Sequence, residues 1–181
     1  MGRTVVELFY DVVSPYSWLG FEVLCRYQHI WNIDLRFRPA FLGGIMQSTD
    51  TLGAMRFITA TDMTQPKYLE TLSREFWLRF WSQHEDISQV ESILAVAEKA
   101  GLSSELTQKI LEMISSPAVK NRLKETTEEA IKYGAFGMPA VVAHVNGKPH
   151  LFFGSDRLEL LASIIGEKWL GPVPSVPSSK M

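Results

Sequence analysis

The chain has 181 residues, 46% of them hydrophobic and 21% charged, with a formal net charge of −2 at neutral pH. That balance fits one sizeable core and argues against nucleic acid or an anionic membrane as the main partner. The single cysteine, Cys25, excludes an intrachain disulfide. No apolar run approaches the roughly 20 residues that a membrane span needs. Met1-Gly2-Arg3-Thr4 passes straight into strand-like sequence without the basic and apolar regions of a cleaved signal peptide, so a soluble intracellular protein is expected.

Residues 4–10 (TVVELFY) are short, β-branched and aromatic, the signature of a buried strand. From Pro15 to Ile30, Trp18, Leu19, Val23, Leu24 and Tyr27 recur at helical spacing, with Ser14 at the N-cap and Pro15 at the first helical position. Ile33, Leu35 and Phe37 alternate with charged residues and predict a second strand over 33–38. Strand, helix, strand in so few residues is a βαβ unit with a parallel pair. From about 53 to 133 the pattern is helical. Leu69, Leu72, Phe76 and Phe80 form one stripe, widened by Trp77 and Trp81, and Val90, Ile93, Leu94 and Ala97 form another, stopped by Gly101. Leu106, Ile110 and Met113 follow, started by Ser103 or Ser104; Ser116-Pro117 opens a further helix running to Tyr133 and closed by Gly134. Ala140 to Val145 and His150 to Phe153 predict a hairpin around Asn146-Gly147. A last amphipathic helix is expected over Asp156 to Lys168, capped by Ser155 or Asp156, before a loose Pro/Ser-rich tail.

This order, βαβ, then helices, then αββα, predicts an α/β fold: a thioredoxin-like fold with an all-helical domain inserted in it, as in DsbA. The expected division is a discontinuous thioredoxin-like domain over 1–50 and 117–170, a helical insertion over 51–116, and a flexible tail over 171–181. In thioredoxin-like proteins the turn after the first strand carries a Cys-x-x-Cys pair. Here those positions read Ser14 and Ser17 in DVVSPYSW, so a thiol–disulfide exchange reaction has no redox pair to use.

"LFYDVVSPYSWLGFEVLCRYQ", "SILAVAEKAG", "KETTEEA", "YGAFGMP" and "LFFGSDRLELL" together resemble the kappa class of glutathione transferases over nearly the whole chain. These are mitochondrial and peroxisomal enzymes related to DsbA-type oxidoreductases and to 2-hydroxychromene-2-carboxylate isomerases. The resemblance departs at Asp50-Thr51, where the segments matching GGIMQSTD and TLGAMRF abut; relatives carry several tens of residues between them, including an asparagine and a lysine that contact glutathione. A shortened form is therefore expected.

The resemblance implies glutathione as co-substrate, no metal, small electrophilic substrates, a detoxifying role and a homodimer. It implies Ser14 as the catalytic residue, donating its hydroxyl to a bound glutathione thiolate at a helix N-terminus that favours negative charge. Pro15 and Tyr16 would flank it. Met138-Pro139, at the position of the thioredoxin-like cis proline, would offer Met138's backbone to the extended peptide. Ser155 and Asp156 would receive its γ-glutamyl end. Reduction of hydroperoxides is a second reaction the resemblance implies. Two alternatives stand beside the transferase: a catalytically impaired short isoform acting as a binding or chaperone-like protein, and a glutathione-dependent isomerase. Cys25 is expected buried and inert, and the histidines lack metal-ligand spacing. The final Ser179-Lys180-Met181 resembles a peroxisomal address, and the resemblance implies mitochondrial or peroxisomal residence, so the peroxisome, the mitochondrial matrix or both are expected.

Overall fold

The computed structural model describes residues 2–42 and 51–174. β1 (Thr4–Tyr10) lies inside a four-stranded sheet of order β2-β1-β3-β4. It runs parallel to β2 (Ile33–Pro39), with Leu8 opposite Phe37, and antiparallel to β3 (Ala140–Val145), with Leu8 opposite Val141. β4 (Lys148–Phe153) completes the sheet beyond β3. The inner strands β1 and β3 are covered on both faces and so read as near-continuous apolar runs. The period of two divides them: Val6, Leu8 and Tyr10 join the larger core, while Phe9, Ala140 and Val142 pack with Ala130 beneath the other face.

α1 (Pro15–Tyr27) connects β1 to β2. α2 (Leu52–Thr64), a 3₁₀ turn at Pro66–Tyr68, α3 (Leu69–Trp77), α4 (Val90–Lys99) and α5 (Ser104–Met113) form the helical block, and α6 (Pro117–Lys132) leads back to β3. The block shares its core with the sheet: Phe57, Phe76, Trp77 and Ile93 belong to the same buried cluster as Val6 and Leu8. Ser103 and Ser116 cap their helices, accepting the amides of Leu106 and Val119 at 3.3 Å. The hairpin turns on Asn146 and Gly147, both at positive φ (52° and 75°), which suits the right-handed twist of the strands.

Three expectations shift. α1 ends at Tyr27 rather than Ile30. β4 begins at Lys148 rather than His150, because the two-residue turn lets pairing start at once with Val145 opposite Lys148. α3 widens into a π turn at Leu78–Ser82, which leaves Trp81 39% exposed instead of in the buried stripe. The expected junction falls at the edge of the described residues: Asp50 and Ser179-Lys180-Met181 lie outside them, and Thr51 is buried as the N-cap of α2.

Candidate active site

β1 delivers the chain into a tight turn at Asp11–Ser14, and Pro15, with its fixed φ and no amide hydrogen, starts α1. Ser14 is extended (φ −86°, ψ 115°) and its Oγ accepts the Ser17 amide at 3.1 Å, as the capping pattern predicts. The hydroxyl hydrogen is also engaged: Ser14 Oγ donates to the Met138 carbonyl at 3.1 Å. The Ser14 carbonyl accepts both the Trp18 amide and the buried indole N–H of Trp77 at 3.2 Å. Ser14 is only 5% exposed, so its hydroxyl is a bonded, buried group. Within the first turn of α1, Ser17 and Trp18 have spent their amides and Pro15 has none. Tyr16 keeps an amide with no intrahelical acceptor.

Met138 and Pro139 enter β3 through a cis peptide bond. Met138, Pro139, Tyr16, Ser155 and Asp156 line a cleft of about 380 Å³ together with Phe153 and Gly154. Ser14 and Pro15 are not part of that lining; Ser14 reaches it through its bond to Met138. α1 comes close to both cleft loops at Gly20, where an added Cβ would lie 3.5 Å from Pro139 Cγ and 3.7 Å from Ser155 Cβ. Tyr16 is 64% exposed at the mouth, and Phe153 packs at a tilt against exposed Phe136 with ring centres 4.3 Å apart.

The Ser155–Asp156 side differs from expectation. The last helix, α7, runs Leu158–Ile165 and its N-cap position is Arg157, without a side-chain cap. Asp156 pairs with Arg157 instead of capping the helix. Gly166, left-handed at φ 76°, ends α7 before Lys168. Ser155 and Asp156 therefore stand in a bend ahead of the helix, not at its first turn. What they offer a ligand is a hydroxyl and an exposed carboxylate rather than a cluster of helix-start amides.

A DSBA-like thioredoxin domain matches residues 5–166. The chain is also 48% identical over 219 aligned residues to glutathione S-transferase kappa 1 of Homo sapiens, covering 97% of each. This chain belongs to the kappa glutathione S-transferase family. The rat (Rattus norvegicus) protein of the same name is 47% identical, with 98% of this chain and 97% of that one covered. Since 219 aligned positions exceed the 181 residues present, the human kappa transferase carries residues without a counterpart here. Among solved structures, a putative protein disulfide isomerase from Nitrosomonas europaea superposes with a TM-score of 0.74 at 14% identity, covering 91% of this chain and 96% of that one. That likeness speaks for the fold alone.

Within this kappa-family chain the cysteine is not placed for chemistry. Cys25 is buried on α1, and loss of solvation, with Glu70 nearby, pushes its thiol well above the usual range. Among the described residues no group of His, Cys, Asp and Glu could hold a metal. His144 is instead bound through Nε2 to buried Glu7 at 2.7 Å, in a network that continues through Arg38 to Glu129. Trp77 is the site neighbour that sequence reasoning placed only in the helical core. Its stripe position is a correct signal for burial, but nothing local connects it to a carbonyl 63 residues away.

Proposed function

We propose that this protein is a glutathione transferase that joins glutathione's thiolate to small electrophiles and also reduces hydroperoxides. The observation that carries the reading is the braced serine: Ser14 sits where related folds carry a thiol, with its hydroxyl bonded to the cleft residue Met138. The thiol then comes with the substrate. A free thiol of pKa about 8.5 is only a few per cent ionised at neutral pH, and a drop of about two units makes the thiolate dominant. The Tyr16 amide and the α1 dipole supply part of that. The rest comes from an exchange of partners. A backbone N–H of the extended peptide takes over the Met138 carbonyl, and the Ser14 hydroxyl turns from that carbonyl to the sulfur. The resulting charge-assisted bond is worth about 1.5–3 kcal/mol. Serine is not the nucleophile, since no base is bonded to it. Asp156 pairs with the peptide's α-ammonium, and Ser155 bonds the adjacent carboxylate. The apolar mouth formed by Tyr16, Phe153 and Phe136 receives the electrophile.

The test is calorimetric titration with glutathione of the unaltered chain, Ser14→Ala and Asp156→Ala, alongside turnover of 1-chloro-2,4-dinitrobenzene. Binding and turnover by the unaltered chain, weakened in both variants, support the transferase; no binding by the unaltered chain overturns it. We further propose a homodimer, tested by sedimentation. A peroxisomal location is tested by imaging fusions with and without Ser179-Lys180-Met181.

A further inference from the structure

Asp11 takes no part in the chemistry above, yet it holds the backbone on which Ser14 stands. It follows β1 and is fully buried. Its Oδ1 accepts the Val13 amide at 3.0 Å and its own carbonyl accepts the Ser14 amide at 3.1 Å. Its Oδ2 accepts the Leu42 amide at 2.8 Å, just beyond β2. One carboxylate thus ties the Ser14 turn to the backbone just beyond β2. Among the described residues no cation answers the charge. Among the described residues its charge is felt by Tyr10, whose buried phenol is bonded to Ser73 Oγ at 2.7 Å and held protonated by loss of solvation.

We propose that Asp11 is a positioning residue for the transferase site, its carboxylate fixing the Ser14 turn against Leu42 at a cost to the stability of the fold. This rests on the transferase reading for its catalytic meaning. A buried charge without a counterion is unfavourable, and burial pushes the Asp11 carboxyl from 3.8 up to about 6. Because the folded-state value is the higher one, the folded chain binds this proton more tightly than the unfolded chain. Stability from this group is fullest below the ordinary value and is lost as pH rises through about 6. Asparagine removes the charge but keeps only one acceptor oxygen for two amides. A residue kept for stability would lower the melting temperature when replaced. A residue kept for positioning separates the two effects.

The experiment compares the unaltered chain with Asp11→Asn by thermal melting at mildly acidic and neutral pH, amide hydrogen exchange and glutathione titration. The variant should melt at an equal or higher temperature at neutral pH and lose the acid-side gain. The Ser17 and Leu42 amides should exchange about tenfold faster, and the glutathione Kd should rise about tenfold. Unchanged exchange at those amides overturns the proposal, as does acceleration matched by a fall in overall stability. Should the variant not fold, the unaltered chain decides. After correction for intrinsic rates, its Ser17 and Leu42 amides must exchange faster relative to the core at mildly acidic pH than at neutral pH, and an unchanged ratio overturns the proposal. If the unaltered chain does not bind glutathione while these exchange results hold, the transferase reading falls and the positioning of the turn by Asp11 stands.

Discussion

Behind the Met138 wall of the cleft Ser14 is buried, and Ser17, Met138, Trp18 and Trp77 account for its hydroxyl and carbonyl. On the other wall the Asp156 side chain is 70% exposed and its partner, Arg157, is also a surface group. The difference is one of preorganisation. The serine wall is set before any ligand arrives, and its geometry is fixed by groups from α1, α3 and the turn ahead of β3 together. The aspartate wall can exchange a weak surface pair for a ligand's charge at little expense, because exposed ion pairs contribute only about 0–1 kcal/mol. Orientation of the sulfur belongs to the first wall and capture of the charged end to the second.

Substitutions break that comparison in a graded way. The largest effect is expected for Trp77→Ala, which removes a fully buried ring and the indole bond to Ser14 and should cost about 3–5 kcal/mol in urea unfolding. Trp77→Phe, keeping an aromatic ring, should cost markedly less; equal losses would mean that the bond, not the packing, braces the turn. Next comes Ser14→Ala, with a fall of about 10- to 100-fold in kcat/KM and a raised thiol pKa of bound glutathione, followed by thiolate absorbance. A rise in KM alone, with kcat and the thiol pKa unmoved, would reduce Ser14 to a cap. Asp156→Ala should weaken glutathione binding by about fivefold while leaving the unfolding midpoint nearly unchanged, as expected of an exposed pair. A large loss of stability there would mean that the second wall is as rigid as the first. The smallest effect is expected for Ser17→Ala, within about 0.5 kcal/mol, because the buried Ser17 Oγ has no hydrogen-bond partner among the described residues and its loss leaves none unpaired.

Much of the frame was legible because its rules are local. Alternation and β-branching marked β1 and β2, the Ser-Pro pairs marked the starts of α1 and α6, and Asn146-Gly147 marked the hairpin. The last helix is shorter at both ends than its apolar spacing predicts. Ser155 and Asp156 are good caps by type, but Asp156 had a neighbouring cation to pair with, and Gly166 provided a left-handed stop that the apolar spacing ran past. The residues that brace the site were legible only as core. Trp77 shows helical spacing, with no sign that it reaches the Ser14 turn, and nothing in the sequence singles out Asp11.

By itself, then, the sequence determined the elements, the capped start of α1 without thiols, and the place where a helix meets a proline-led strand. Short-range sterics, capping and side-chain period settle those within a few residues. Only the tertiary structure decided that the Ser14 hydroxyl is spent on Met138, that Asp11 reaches Leu42, and that Trp77 reaches back to the turn. Those bonds join residues far apart in the chain, and they form because buried polar groups must find partners wherever packing brings them.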